Sequence, residues 1–286
     1  MPKLKGQGKG ASKIKLKSYL KSVPPAATII YIHGIGPQDA ESELKVEWDK
    51  ALFGADQGPN TQMAYWADIL HPVAGNATAN AAYFQSFLAP AAALSARKFN
   101  AAAADWITTN PAAQAYAEKL TAKLGEQKGL FKTAILPLPE GARKAVTKLF
   151  LYTFIHDTAA YFYKKGVRDQ MQKRLKDKLT GPGPFLIVAH SQGTIISYDV
   201  LSDPQFHNSK VTLFATMGSP LGIQEVQDNI VQPLRVPREV DSWNNFADPL
   251  DPVALDSTLQ DEFAVGNNKI EDIPVINSKG IISHDA

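Results

Sequence analysis

The chain has 286 residues, of which 44% are hydrophobic and 20% charged, with a formal net charge of +2. That is enough apolar material for one sizeable core, and it excludes a disordered or extended polyelectrolyte composition. Cysteine is absent, so disulfides and thiolate metal sites are excluded. The histidines lack ligand spacing, and no metal or other cofactor is expected.

The first 24 residues carry Lys3, Lys5, Lys9, Lys13, Lys15, Lys17 and Lys21, with no acidic residue before Asp39. This stretch reads first as a solvated basic arm. A weak contact with an anionic membrane surface is the function such an arm could serve, since each lysine near such a surface contributes on the order of 1 kcal/mol. Nucleic acid is not expected as a partner, because neither a stacking platform nor a reader motif accompanies the lysines. No segment resembles a signal-peptide core and no run reaches about 18 apolar residues, so a cytoplasmic protein is the simplest expectation.

Residues 25–286 read as one domain. The run Ala26–Ile32 is β-rich and ends in His33-Gly34-Ile35-Gly36. It predicts a buried parallel strand whose following loop lets the main chain come close to a substrate. Further strands are predicted near 62–66, 185–189, 211–216 and 242–247. They alternate with helical stretches, which predicts an α/β fold with a mostly parallel sheet and helices on both faces.

Between about 72 and 165 the sequence is alanine-rich and helical in pattern, and it reads as a helical cap insertion. Within it Phe84, Phe87 and Leu88 sit close together and are candidates to line a substrate pocket. Asn110-Pro111 predicts a helix start, with a stop at Gly125. The segment 149–163 is apolar on more than one face and reads equally as lid or as buried helix. Val167, Met171, Leu175 and Leu179 recur every four residues and predict an amphipathic helix that ends before Gly181.

The apolar run Phe185–Val188 leads into Ala189-His190-Ser191-Gln192-Gly193 and then a helical stretch. A serine between small residues at a strand-to-helix turn has the form of a nucleophile elbow. The sharp turn exposes the hydroxyl and leaves no room for bulk two positions either side. In that arrangement the N–H of Gln192 and those of the Gly34-Ile35 loop would receive the oxyanion. An acid and then a histidine should follow in chain order. Asp248 and Asp251 stand three residues apart on a proline-stiffened loop after the strand near 242–247, and either could orient the base. His284 is the remaining histidine suited to that role. Ser219, Tyr198 and Asp199 read as structural, and Trp48, Trp66 and Trp243 as core aromatics.

Five separated segments, in order, resemble the DDHD-type intracellular phospholipases and related lipase-like α/β-hydrolases. They are Tyr31–Gly36, His190–Thr194 with Ser197–Asp199, Met217–Gly222, Leu250–Ala254 and Ser283-His284. The resemblance implies an α/β-hydrolase fold and a serine esterase with Ser191 as nucleophile, Asp251 as acid and His284 as base. The family has a His-Pro-aromatic segment where this chain has Asp248-Pro249-Leu250, which keeps Asp248 as the alternative acid. The expected activity is cleavage of a carboxylic, lipid-like ester through an acyl-enzyme. A thioesterase or acyltransferase would share this machinery, and a catalytically silent binding protein is the alternative from a different class.

Overall fold

A computed structural model describes residues 27–76, 106–126, 140–206, 208–248, 251, 257–264 and 270–275. Six strands form one sheet in the order β2-β1-β3-β4-β5-β6, and every neighbouring pair is parallel. They are β1 Thr28–Ile32, β2 Thr61–Ala64, β3 Phe185–His190, β4 Val211–Met217, β5 Trp243–Ala247 and β6 Ile270–Pro274. Five were expected from the sequence; β6 was not. Its sequence, Ile-Glu-Asp-Ile-Pro, carries two acidic residues and a proline, which suits the sheet edge it occupies and hides it from a hydrophobicity reading.

The central strands are buried on both faces, as parallel strands covered by helices are. Alternate residues feed two cores. Ile30, Ile32, Ile187, Ala189 and Phe214 point to one face; Ile29, Tyr31, Leu186, Val188 and Ala215 point to the other. Helix α1, Glu41–Phe53, covers the second face with Leu44 and Trp48. The carboxylate of Asp49 on α1 accepts from Tyr31 Oη (2.8 Å), Lys45 Nζ (2.7 Å), Gln57 N (3.0 Å) and Thr61 Oγ1 (3.0 Å), tying the helix to β1 and β2.

A short helix α2, Ala67–Leu70, follows β2. The first face is covered by α3 Pro111–Glu126, α4 Glu140–Tyr163, α5 Val167–Lys176 and α6 Gln192–Leu201. Helix α3 begins where Asn110-Pro111 predicts, with Asn110 Oδ1 accepting from the N–H groups of Ala112 and Ala113. Its Ala113, Tyr116, Leu120 and Leu124 form one buried stripe. In α4, Phe154, Ala159, Ala160 and Tyr161 are fully buried in the same core as Ile30 and Ile187. This part of the 149–163 segment is therefore held against the sheet. Two further short helices, α7 Gln224–Gln227 and α8 Gln260–Phe263, precede β5 and β6.

Strand β1 continues through α1 to β2 on one side, whereas β3 lies on its other side and leads through α6 to β4. With right-handed crossovers, that reversal sends α1 to one face and α6 to the opposite one, and it opens a crevice beyond the carboxyl ends of β1 and β3. Among the described residues no helix is long and apolar enough to cross a membrane.

Candidate functional site

Ser191 sits at this switch point, between β3 and α6. Its backbone has φ 52° and ψ −125°, the one positive φ at a non-glycine residue among the described residues. An L-residue held there is strained, and only a surrounding structure that over-determines it keeps it so. The determinants are visible. Ser191 N–H donates to Met217 O at the end of β4 (2.9 Å), and Ser191 O accepts from both Thr194 N (2.9 Å) and Thr194 Oγ1 (2.7 Å). Thr194 Oγ1 also shares a hydrogen bond with Ser219 Oγ (2.9 Å), which in turn accepts from Leu221 N. Ser219 is thus committed to packing the elbow.

Two glycines let the elbow and β1 touch. A Cβ at Gly193 would lie 2.6 Å from Ile32 O and 2.7 Å from His33 O, contacts with main chain that cannot move aside. A Cβ at Gly34 would lie 2.8 Å from Ser191 Cβ and 2.9 Å from His190 Nδ1. The Gly34-Ile35 loop and Gln192 therefore flank Ser191 from two sides. Gln192 is the first residue of α6, so its N–H has no intrahelical acceptor. Ser191 is fully buried, and among the described residues its Oγ has no hydrogen-bond partner. Such an orphaned hydroxyl requires a reason, because an unsatisfied buried donor costs about 1–3 kcal/mol.

The peptide planes of the β1 loop are fixed by their neighbours. His33 is buried, its ring stacked on Trp66 with centroids 4.7 Å apart. Trp66 N–H donates to His33 Nε2 (3.0 Å), which leaves the proton on Nδ1 to donate to Gly34 O (2.9 Å). Burial pushes the imidazole down to about 3, so it is neutral near pH 7. Gln38 Nε2 donates to Ile35 O (2.9 Å), and Gly36 N–H to Asp157 Oδ2 (2.9 Å). With the Gly36 donor committed, Gly34 and Ile35 remain as this loop's candidates for an oxyanion.

Asp157, fully buried on α4, was not singled out by the sequence. Its Oδ2 accepts also from His71 Nε2 (2.8 Å) and its Oδ1 from His156 Nδ1 (3.0 Å), while Trp106 Nε1 donates to His156 Nε2 at a long 3.4 Å. Burial alone would raise its carboxyl, but the His71 charge and the hydrogen bonds from His156 and His71 hold it well below the usual carboxylate range. No short motif marks this cluster, because its partners His71 and Gly36 lie 86 and 121 residues away in sequence.

His190, Met217 and Phe246 stand on one rung of β3, β4 and β5. Asp248 follows that rung by two residues, and Asp251 N–H donates to Asp248 O (2.9 Å). Both aspartates are buried, at 4% and 3% exposure, on the same end of the sheet as Ser191. Two strand spacings, about 10 Å, separate β3 from β5. His284, Phe84, Phe87 and Leu88 lie outside the described residues. Among the described residues no cluster of carboxylates and histidines is arranged to hold a metal ion.

The fold and site define a parallel α/β protein with a strained, buried serine at its topological switch point. Comparison with protein-family models, curated proteins and solved structures found no match.

Proposed function

We propose that the chain is a serine hydrolase of the α/β-hydrolase type that cleaves carboxylic, lipid-like esters. The observation that carries this reading is Ser191, held at φ 52° beside the Gly34-Ile35 loop and the first N–H of α6, its buried Oγ without a hydrogen-bond partner among the described residues. A strained backbone weakens the fold, and chemistry at the Ser191 hydroxyl accounts for its persistence.

In this reading His284, oriented by Asp251, takes the proton from Ser191 Oγ as it attacks the ester carbonyl. Asp248 is the alternative acid. The N–H groups of Gln192 and of Gly34 and Ile35 stabilise the oxyanion, a role in which one donor contributes roughly 2.7–4 kcal/mol to barrier lowering. The protonated histidine returns its proton to the departing alcohol, and water then cleaves the acyl-enzyme through the same base. The resemblance to lipase-like enzymes supports the choice of a lipid-like acyl group.

A p-nitrophenyl ester series of rising acyl length tests this, with Ser191→Ala, His284→Ala, Asp251→Asn and Asp248→Asn beside the wild type. Loss of turnover on the order of 10⁴-fold is expected for Ser191→Ala and His284→Ala, with Asp251→Asn far more damaging than Asp248→Asn. Turnover retained by Ser191→Ala would overturn the reading.

A further inference from the structure

The residue on which the elbow's two flanks converge is Asp157. Its side chain accepts the Gly36 N–H from the β1 loop (2.9 Å), and its main-chain carbonyl accepts Gln192 Nε2 from the start of α6 (3.1 Å). The Ile35–Gly36 peptide is consequently gripped at both ends, by Gln38 Nε2 on the carbonyl and by Asp157 on the N–H. A peptide unit is planar, so fixing both ends fixes its plane. The preceding Gly34–Ile35 peptide is held at its carbonyl by His33 Nδ1 on Gly34 O. On the other flank, the bond to Asp157 O anchors the side chain of Gln192, the residue whose N–H opens α6.

We propose that Asp157 is the positioning residue of the oxyanion site, setting the separation between the Gly34-Ile35 donors and the Gln192 donor. It acts through the two flanks it joins. His71 and His156 complete the device, since a fully buried carboxylate is tolerable only when its oxygens are paired. Oxyanion donors must lie within about 0.4 Å of one another's required radius, roughly 2.7–3.1 Å from the oxygen. A displacement of about 1 Å lowers turnover by about 10²-fold. The proposal rests on the serine-hydrolase reading.

The test is p-nitrophenyl butyrate turnover by the full chain, with kcat expressed per Ser191 titrated by a fluorophosphonate. That normalisation removes any loss of folded protein, so a merely structural role would leave it unchanged. Asp157→Asn retains volume and one acceptor and is expected to lower kcat about 10-fold, and Asp157→Ala about 10²–10³-fold, with KM within about threefold of wild type. His71→Gln, which keeps an N–H donor, is expected to stay within about threefold of wild type, while His71→Phe falls about 10-fold. Asp157→Asn within threefold of wild type per titrated serine would overturn the proposal. Where the Asp157 variants fail to fold, equal kcat in His71→Phe and His71→Gln would do the same. A wild type with neither turnover nor a titratable serine removes the hydrolase reading and the proposal together, an outcome distinct from the first two.

Discussion

At the scale of residues, Ser191 is where local preference and the fold disagree. Its φ of 52° strains a residue with a Cβ, and its buried Oγ has no partner among the described residues. Removing the hydroxyl alone should therefore stabilise the protein. Ser191→Ala is expected to raise the unfolding free energy by about 1 kcal/mol in urea denaturation, since it deletes an unsatisfied buried donor and little packing. Glycine would also relieve the backbone, but the freedom it adds to the unfolded chain offsets part of that gain, so alanine is the cleaner comparison. A less stable Ser191→Ala would mean that the hydroxyl has a hydrogen-bond partner in the free protein. The serine was legible because its determinants are local: an apolar strand before it, a helix after it, and small residues at 189 and 193. Asp157 was not legible, because its value comes from partners on the loop after β1, on α6 and on the segment after α2.

Among the elements, α6 joins the elbow to the scaffold. Its first turn lies against β1 through Gly193, and two turns on Asp199 takes up Tyr161 Oη (2.6 Å), Arg168 Nη2 (2.6 Å) and Val231 N (3.0 Å). One buried carboxylate thus fastens α6 to α4, to α5 and to the segment before β5. Asp199→Ala leaves the guanidinium and the tyrosine hydroxyl without their acceptor, and a loss of about 3 kcal/mol is expected in urea denaturation. A loss under about 1 kcal/mol would show that the contact is incidental. Strands β1, β3 and β4 were readable as apolar runs since a covered parallel strand is apolar on both faces. The same rule hid β6, whose outer position tolerates Glu271 and lets Asp272 accept from Asn245 Nδ2 and from the N–H groups of Leu259 and Gln260. The burial of α4 could not be read from composition, because an apolar helix serves equally as lid or as core.

For the whole molecule, the strand order explains why the candidate residues meet. β1 and β3 are 153 residues apart at their nearest ends, Ile32 and Phe185, yet they pair side by side, and their connections leave in opposite directions. The loop after β1, the elbow after β3 and the aspartates after β5 consequently share one end of the sheet. The central claim is that Ser191 is a nucleophile, and the most direct measurement is intact-mass analysis with peptide mapping after exposure to a fluorophosphonate. A single adduct on Ser191 in the wild type, absent from folded Ser191→Ala, is the expected result. A folded wild type that takes no adduct, or an adduct that persists in Ser191→Ala, would contradict it.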